Sequence, residues 1–327
     1  MKTIAIIGSG TWGCALAVAL SQNGHMVKMW SYTASECENI NQNRHCKYLD
    51  GVTLNQNISA YTDFEETIQD TDYVFHITPS KAFRENLKQY KTFLTNQPVI
   101  ICSKGIEEST SMTLGEVFEE ETGQKHYGIL SGPSHAEEVA RGIPTTLVIA
   151  SQQAEIRKEI REILQSDLMK IYESEDTKGV ALGGAFKNII AFSAGIANAL
   201  QLGDNTVAAL ITRGLAEIAN LGVAMGAQKE TFYGLSGLGD VLVTSMSPYS
   251  RNRKAGILIG QGKSIEETKQ EVGMTIESMD NIRTVYQLAQ KHQIRMPIVN
   301  CAYDILYNGL APQKAVLHLM QVPNDKE

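Results

Sequence analysis

The sequence predicts an α/β protein in which an N-terminal doubly wound sheet is followed by an all-helical domain. Three observations lead to this class. Short β-branched runs alternate with helical patterns in the first half, a glycine motif directly follows the first run, and strand signals nearly vanish beyond Val180. The chain has 327 residues, roughly twice the usual size of one domain, so two domains are expected.

Six apolar runs predict the strands of the sheet. They are residues 3–8, 25–30, 73–77, 98–103, 127–130 and 145–150. Because these runs lack strict alternation of apolar and polar residues, we expect both faces to be covered by helices, as in a parallel sheet. Capping-box patterns at residues 33–36 and 134–137 predict helices after the second and the fifth strand. Strands joined by right-handed helical crossovers form a doubly wound sheet.

The second half of the chain is predicted to be helical. Apolar residues recur there at helical spacing, for example at Ile282, Val285 and Leu288. We therefore place the first domain at residues 1–179 and the second at residues 180–327. The tail from Val322 is expected to fray.

The composition indicates a folded, acidic protein. Hydrophobic residues make up 43% of the chain and charged residues 20%, which excludes disorder as the main state. The formal net charge of -7 repels nucleic acid and anionic membranes, so local cations must hold any phosphate-bearing ligand. No run approaches the roughly 18 to 20 apolar residues of a membrane helix. The five cysteines form no CxxC pair and follow no secretory leader, so reduced thiols in a cytoplasmic protein are expected.

A glycine-rich loop follows the first predicted strand. Residues 8–13 match the pattern GxGxxG, and an apolar helical pattern comes next. Gly8 would allow the tight turn, Gly10 the approach of a pyrophosphate, and Gly13 the packing of the helix on the strand. The N-terminus of that helix would then face the phosphates. This order of strand, loop and helix predicts a Rossmann-type dinucleotide-binding domain.

The residues after the second predicted strand leave the choice between NADH and NADPH open. An NAD-preferring site often has Asp or Glu at this position, and an NADP-preferring site has Arg. The segment reads Met29-Trp30-Ser31-Tyr32, so neither is present. Tyr32 could stack on adenine, bind the ribose or simply lie on the surface.

Three loops are predicted at the carboxyl edge of the sheet, where doubly wound proteins bind ligands. Residues 78–80 follow the third predicted strand, 104–105 the fourth and 132–134 the fifth. Lys104 would bring an ammonium to this edge, and the helix after Ser134 would offer backbone donors to an oxyanion. A lysine alone could equally be solvated, so the prediction depends on the three loops lying together.

Lys187 lies in an otherwise apolar predicted helix, with Asn188 beside it. The residues three and four positions away look buried, which favours a function over a lysine that merely extends to solvent from a domain interface. Gly183 and Gly184 each weaken a helix by about 1 kcal/mol relative to alanine. They are expected where another backbone or a cofactor approaches. We therefore predict that Lys187 transfers a proton.

Two further segments supply polar groups. Asp240 follows Gly237-Leu238-Gly239, and we expect a tight turn to place it as the partner of a lysine ammonium. Ser250 is predicted to cap a helix whose first turn contains Arg251 and Asn252. A guanidinium beside free helix N–H groups is a suitable phosphate receptor, although a solvated basic face is the alternative.

The histidines predict no metal site, because none of the seven forms an HxH or HExxH pair. His76 and His135 are expected to border the ligand cleft. Nothing in the sequence is typical of a basic and aromatic surface for nucleic acid.

Together these motifs resemble the bacterial-type NAD(P)-dependent sn-glycerol-3-phosphate dehydrogenase family from residue 4 to about residue 310. The motifs that carry the resemblance are GSGTWGCALA (8–17), SKGIE (103–107), GPSHAEEVA (132–140), GAFKNIIAFSAGI (184–196), ITRGLAEI (211–218) and GLGDVLVT with SPYSRNRK (237–254). The resemblance implies that Lys187 is the proton donor and acceptor. It implies substrate contacts for Lys104, Gly132, Ser134, Lys187, Asp240, Ser250, Arg251 and Asn252. Beside Gly8, Gly10 and Gly13, it implies cofactor contacts for Thr11, Trp12, Tyr32, Lys104, Ala136, Arg251, Thr275 and Glu277.

The resemblance further implies the reversible reduction of dihydroxyacetone phosphate to sn-glycerol 3-phosphate by NADH or NADPH, which supplies glycerophospholipid synthesis. The Lys187 ammonium must then reach a carbonyl held beside the dinucleotide, and a side chain that points into bulk water would overturn this interpretation. Two alternatives stay open: a related 3-hydroxyacid or ketopantoate-type dehydrogenase, and a non-catalytic nucleotide-sensing protein. The Gly- and Ala-rich helices could pack within one chain or against a second, so a homodimer also stays open.

Overall fold

The computed structural model describes residues 1–321, so the expected fraying from Val322 lies outside the described residues. The strands of the described chain are β1 Thr3–Ile7, β2 Met26–Trp30, β3 Ile58–Tyr61, β4 Tyr73–His76, β5 Val99–Ile101, β6 Tyr127–Ser131, β7 Thr145–Ala150 and β8 Met169–Ser174. Its α-helices are α1 Thr11–Gln22, α2 Ala34–Asn41, α3 Phe64–Ile68, α4 Phe83–Tyr90, α5 Leu114–Thr122, α6 Ala136–Ala140, α7 Ala154–Leu164, α8 Thr177–Ala199, α9 Gly203–Ala224, α10 Asp240–Met246, α11 Arg251–Gly260, α12 Ile265–Val272, α13 Glu277–Lys291, α14 Pro297–Tyr307 and α15 Pro312–Met320.

The chain divides into two compact units. The first comprises Met1–Glu107 and Met112–Ala181, and the second comprises Glu108–Ser111 and the chain from Leu182 onward. The first unit contains the sheet and its helices, whereas the second contains most of α8 and all of α9 to α15. The predicted class is therefore confirmed, with an α/β unit followed by a helical unit.

The order of the strands defines the ligand-binding edge of the first unit. The strand order is β3-β2-β1-β4-β5-β6-β7-β8. The chain adds β2 and β3 on one side of β1, and it then crosses to the other side of β1, where β4 to β8 follow in order. Ligands of doubly wound folds bind at this reversal, beyond the carboxyl ends of the strands. Gly8 and Ile77 follow β1 and β4 there, and a β-carbon on Gly8 would lie only 3.0 Å from the Ile77 carbonyl oxygen.

The six predicted strands are present, and the sheet contains two more that the sequence analysis missed. β3 has only four residues, and β8 is an edge strand in which buried and exposed residues alternate at first, so neither contains a continuous apolar run. β7 is antiparallel to β6, unlike the predicted parallel sheet. The connection between them, residues 132–144, contains the five-residue helix α6.

One of the two predicted capping boxes is half formed and the other is wrong. Thr33 caps α2 as predicted, because its Oγ1 accepts the Glu36 N–H at 3.3 Å. The Glu36 carboxylate does not return the bond and instead accepts from Ser9 and Ser31. Within the part of the chain that the structure describes, no side chain caps α6, so the box predicted at residues 134–137 is wrong.

Two helices, α8 and α9, are long and apolar enough to cross a membrane by length and composition. This corrects the expectation that no stretch approaches such a length. The share of the apolar window that is buried is 94% for α8 and 44% for α9. Burial on all sides is typical of the core helix of a large domain, which accounts for the apolar composition of α8.

Small residues let α8 approach its neighbours at backbone distance. A β-carbon on Gly183 would lie 2.6 Å from the Ser236 carbonyl oxygen, as predicted for a glycine that another backbone approaches. Further along α8, Gly195 faces Gly256 of α11. A β-carbon on either of these two glycines would overlap a backbone carbonyl oxygen of the opposite helix. The α8–α11 contact therefore depends on the absence of side chains at both positions.

Glu217 of α9 is a buried acid that contacts the N-terminus of α14. Its carboxylate accepts the N–H groups of Ile298 at 3.0 Å and Val299 at 3.4 Å. Burial nevertheless raises the pKa of Glu217 from 4.5 to about 7. The folded protein therefore binds this proton more tightly than the unfolded chain. Its contribution to the free energy of unfolding is present below about pH 4.5 and is lost as the pH rises towards 7.

Glu217→Gln removes this titration. The stability of the variant relative to the native protein should rise between pH 5 and pH 8, by up to about 3 kcal/mol because one pKa unit corresponds to about 1.36 kcal/mol. Urea unfolding at the two pH values measures the difference. Glu230→Gln, which removes the same charge from an exposed position, is the control. A stability difference that is the same at both pH values would contradict the prediction.

Candidate active site

Glycines shape the loop between β1 and α1. Gly8 has φ +124°, a value that favours glycine, and a β-carbon on Gly13 would overlap the Gly8 carbonyl oxygen. Apart from Gly10 and its two chain neighbours, no atom of residues 1–321 lies within 4 Å of the place where a β-carbon of Gly10 would be. Thr11 begins α1 directly after this open space. The loop thus leaves room in front of a helix N-terminus, where N–H groups can bind a pyrophosphate.

The residues of this loop fit a dinucleotide. Trp12 lies in the first turn of α1, and its buried indole N–H has no hydrogen-bond partner within residues 1–321. A buried donor without an acceptor costs about 1 to 3 kcal/mol, so a ligand oxygen at this position would be favoured. The open space beside Gly10 is where the backbone would approach the phosphates.

An acid that the sequence analysis did not include among the site residues lies shortly after β2. Tyr32, which was the candidate there, is 84% exposed. Four residues further on, the Glu36 carboxylate accepts hydrogen bonds from Ser31 Oγ at 2.8 Å, Ser9 Oγ at 3.1 Å and the Tyr48 hydroxyl at 3.3 Å. Burial and the Glu36 charge raise the pKa of Tyr48. The acid went unnoticed because it lies in the first turn of α2 and not at the end of the strand.

Lys104 and Ser134 converge on one backbone carbonyl. The Lys104 ammonium donates to the Gly132 oxygen at 3.1 Å, and Ser134 Oγ donates to the same oxygen at 3.0 Å. Gly132 has φ +138°, and a β-carbon there would lie 3.1 Å from the Thr146 carbonyl oxygen. Ala136 is buried at the first position of α6. The loops after β5 and β6, two of the three that were predicted to meet, therefore lie together.

His76 belongs to the core and not to the edge of a cleft, which corrects the sequence-based expectation. It is fully buried, and its ring makes hydrogen bonds to the Tyr90 hydroxyl at 2.9 Å and to Thr78 Oγ1 at 2.7 Å. It stacks on Phe83, and burial lowers its pKa to about 3. His135 is the half-buried N-cap residue of α6.

Lys187 lies in the middle of α8 and is 7% exposed, so its side chain does not point into bulk water. Its ammonium contacts the Asp240 carboxylate and donates to Thr244 Oγ1 at 2.8 Å. Both partners are buried on α10, one helical turn apart. The predicted pairing of Asp240 with a lysine is confirmed. Thr244 was not among the predicted site residues, although its spacing of four from Asp240 places both on one helix face.

A π-helical turn at Leu235–Gly239 positions Asp240, where the sequence analysis predicted a tight turn. A β-carbon on Gly237 would overlap the Phe232 backbone, so the close packing of this turn requires glycine. The same turn lies against α8 at Gly183, one helical turn before Lys187. Because residues four apart share a helix face, the α8 face that touches the π-helical turn also brings Lys187 to Asp240.

A chain of hydrogen bonds connects α8, α11 and α13 next to this pair. Asn252 donates to Asn188 Oδ1 at 2.9 Å and accepts the Ser278 N–H at 2.9 Å. Ser250 Oγ accepts a backbone N–H in the first turn of α11 at 3.1 Å, as predicted for its N-cap. Arg251 is exposed in the first turn of the same helix. The second unit therefore presents the Arg251 guanidinium at the N-terminus of α11. The next residue, Asn252, is hydrogen-bonded to Asn188 of α8.

The remaining predicted cofactor residues lie at the start of α13. Thr275 precedes the helix and Glu277 is its first residue, and both are half-buried. The next residue, Ser278, holds Asn252. Within residues 1–321, no group of three or more His, Cys, Asp or Glu side chains is arranged to hold a metal ion.

A glycine loop that fits a dinucleotide and a helical unit with a buried lysine–aspartate pair define the class of two-domain NAD(P)-dependent dehydrogenases. Residues 3–157 match the model for the N-terminus of NAD-dependent glycerol-3-phosphate dehydrogenase, and residues 176–317 match the model for its C-terminus. The chain belongs to the NAD-dependent glycerol-3-phosphate dehydrogenase family.

Individual relatives agree with this assignment. A protein of Carboxydothermus hydrogenoformans named glycerol-3-phosphate dehydrogenase [NAD(P)+] is 44% identical over 321 residues, which cover 97% of this chain and 96% of that protein. The crystal structure of glycerol-3-phosphate dehydrogenase from Coxiella burnetii matches with a TM-score of 0.94 and 36% identity, over 98% of this chain and 99% of that one. A ketopantoate reductase from Ralstonia eutropha, the type of enzyme considered as an alternative, has a TM-score of 0.62 at 14% identity over 96% of this chain and 99% of that one, so it shares the fold alone.

Proposed function

We propose that this protein catalyses the reversible reduction of dihydroxyacetone phosphate to sn-glycerol 3-phosphate with NADH or NADPH. The observation that carries the proposal is the buried Lys187 ammonium between Asp240 and Thr244, in a chain of the glycerol-3-phosphate dehydrogenase family. A buried charge of this kind must be paired, and here its partners also fix the direction of the N–H groups. The product supplies glycerophospholipid synthesis.

Lys187 supplies the proton that the reaction needs. The reduced nicotinamide, when bound, provides a hydride to the ketone carbon, and the ketone oxygen becomes an alkoxide. The Lys187 ammonium gives this oxygen a proton, and in the reverse direction the neutral amine takes it back. The neighbouring Asp240 carboxylate stabilises the ammonium, which is the form that donates. Thr244 holds a second N–H and limits the rotation of the group.

The substrate phosphate is held at the N-terminus of α11. The first N–H groups of a helix have no acceptor within the helix, and the Arg251 guanidinium adds a charge and a planar pair of donors. Asn252 stays in place through its bonds to Asn188 and Ser278. An anchored phosphate limits the positions of the carbonyl carbon, which lowers the entropic part of the barrier. In this proposal Lys104, Gly132 and Ser134 contact the substrate, and Gly8 to Gly13, Tyr32, Ala136, Thr275 and Glu277 contact the cofactor.

The proposal assigns dinucleotide binding to residues 1–179 and proton transfer to residues 180–327, in a cytoplasmic protein. A homodimer is part of it, because the helical unit exposes apolar side chains such as Val223, Leu242 and Met246. Leu242 and Met246 lie four residues apart on α10 and so share a helix face, and a contiguous apolar patch of this kind favours contact with a second subunit.

A substrate panel tests the activity. The absorbance of the reduced nicotinamide is followed with dihydroxyacetone phosphate, ketopantoate and a 3-keto acid at equal concentrations. We expect turnover with dihydroxyacetone phosphate to exceed the other two by at least about a hundredfold, since the loss of the charged phosphate contacts costs several kcal/mol. Faster turnover with ketopantoate would favour the related dehydrogenases. The absence of turnover with every ketone would favour a nucleotide-sensing protein.

Arg251→Ala tests the phosphate anchor. The apparent KM for dihydroxyacetone phosphate should rise by about ten- to a hundredfold, because a hydrogen bond to a charged group contributes about 1.5 to 3 kcal/mol. Steady-state kinetics at saturating NADH measure the change. Lys254→Ala is the matched control, since Lys254 is exposed on the same helix and donates to the Glu271 carbonyl oxygen. An unchanged KM in Arg251→Ala would remove this residue from the phosphate site.

A further inference from the structure

Glu36 is a half-buried carboxylate that connects the glycine loop to the end of β2. Three hydroxyl groups donate to it, from Ser9 in the loop, Ser31 directly after β2, and Tyr48. Ser9 and Ser31 also share a hydrogen bond at 2.5 Å. These bonds hold the carboxylate in one place. The first unit thus carries a fixed negative charge beside the second residue of GxGxxG.

In Rossmann-type domains this place receives the adenosine ribose. An acid about 20 residues after the glycine motif binds the ribose 2′-hydroxyl of NAD, whereas an arginine nearby accommodates the 2′-phosphate of NADP. Glu36 matches the acid in distance along the chain from Gly13 and through its contacts with Ser9 and Ser31. It differs in position, since it lies in the first turn of α2.

The surroundings contain little positive charge to receive a 2′-phosphate. Residues 29–43 include no Lys or Arg, whereas they include Glu36 and Glu38. The next cation, Arg44, donates to the carbonyl oxygens of Asn55 and Ile58 at 3.4 and 2.6 Å. Lys47 is exposed and lies over the ring of Tyr48, the tyrosine that donates to Glu36, at 5.6 Å.

We propose that Glu36 makes this protein select NADH over NADPH. The inference rests on the proposed use of a nicotinamide dinucleotide and adds which of the two is preferred. The Glu36 carboxylate can accept the ribose 2′-hydroxyl as a donor, in the way it already accepts Ser9 and Ser31. A 2′-phosphate is mostly without a proton to donate at neutral pH, and its charge of about −1.5 to −2 is repelled by the carboxylate. Selection of this kind depends on repulsion of the unwanted ligand.

Direct binding tests the proposal without turnover. NADH and NADPH are titrated separately into the native protein, without dihydroxyacetone phosphate, and the fluorescence of the bound nicotinamide gives each Kd. For the native protein we expect the Kd for NADPH to exceed that for NADH by at least about tenfold, as expected for a fixed like charge near the surface. Equal Kd values would overturn the inference and leave the proposed function intact. The absence of binding by either dinucleotide would overturn both.

Variants separate the charge of Glu36 from its place in the loop. Glu36→Gln keeps the size of the side chain and an acceptor, and it should lower the ratio of the two Kd values at least about fivefold, mainly through tighter NADPH binding. Glu38→Gln removes the same charge from an exposed position two residues on, and should leave the ratio unchanged. If Glu36→Gln raised the Kd values of NADH and NADPH by the same factor, the inference would be contradicted, because equal weakening is what a merely structural role of Glu36 predicts. If Glu36→Gln does not fold, the ratio measured for the native protein still decides.

Discussion

Lys187→Met is expected to lower kcat for the reduction of dihydroxyacetone phosphate by about a thousandfold, since a general acid typically contributes 10²- to 10⁴-fold. Methionine has nearly the length of lysine and cannot donate a proton. The Kd for NADH should stay within about threefold of the native value, because the glycine loop that we propose to bind the pyrophosphate belongs to the other unit. Steady-state kinetics and a fluorescence titration of NADH measure the two quantities.

The same substitution leaves Asp240 buried without its cation. Breaking a buried ion pair costs about 3 to 5 kcal/mol, so thermal unfolding must confirm that the variant is folded at the assay temperature. Lys178→Met is the matched control: it removes a lysine of the same helix whose partner, Glu116, lies at 2.8 Å and is more than a third exposed. We expect its kcat to be unchanged. A Lys187→Met enzyme with kcat within threefold of the native value would refute the assigned role.

Gly256→Ala is expected to be among the most destabilising single substitutions in the helical unit. The new β-carbon would overlap the Phe192 carbonyl oxygen of α8, and backbone atoms cannot move aside as a side chain does. We expect a loss of about 3 kcal/mol or more, at or above the upper end of the usual range for overpacked cores. The midpoint of thermal unfolding should fall by about 6 °C or more, at about 2 to 4 °C per kcal/mol for a domain of this size.

Because Gly256→Ala pushes α11 away from α8, we expect the substitution to affect the candidate active site as well. Asn252 on α11 bonds to Asn188 on α8, next to Lys187, so the variant should lose activity even at a temperature where it is folded. Gly234→Ala is the control, because a β-carbon there would make an ordinary contact of 3.4 Å with the Thr231 carbonyl oxygen. If Gly256→Ala had the same midpoint as this control, α8 and α11 would not be packed as described.

The parts of the fold that the sequence predicted are those with strong local signals. The buried strands β1, β2 and β4 to β7 contain apolar runs, and Ser250 caps α11 with a side chain suited to it. The edge strand β8 alternates like a solvated strand, and β7 runs antiparallel to β6 although it contains an apolar run like those of the parallel strands. Neither the alternation in β8 nor the direction of β7 depends on residue type alone, because both depend on where the strand lies in the sheet.

The candidate site shows the same limit. The pairing of Lys187 with Asp240 could be predicted because a lysine in an apolar helix requires a counter-charge. Thr244 and Glu36 could not be ranked above many other polar residues, since their importance comes from the turns that bring them to Lys187 and to Ser9. His76 was misplaced for a related reason. A histidine at a strand end can satisfy both ring nitrogens within the core, as His76 does with Tyr90 and Thr78.

Rescue of Lys187→Ala by small amines is the most direct measurement of the central assignment. The shortened side chain leaves space beside Asp240 and Thr244 for an alkylammonium ion. We predict that turnover of dihydroxyacetone phosphate falls at least about a hundredfold in the variant. It should then rise in proportion to added ethylammonium, while Lys178→Ala is insensitive to the amine. Turnover of Lys187→Ala at the native rate without amine would contradict the account, because the proton would then come from another group.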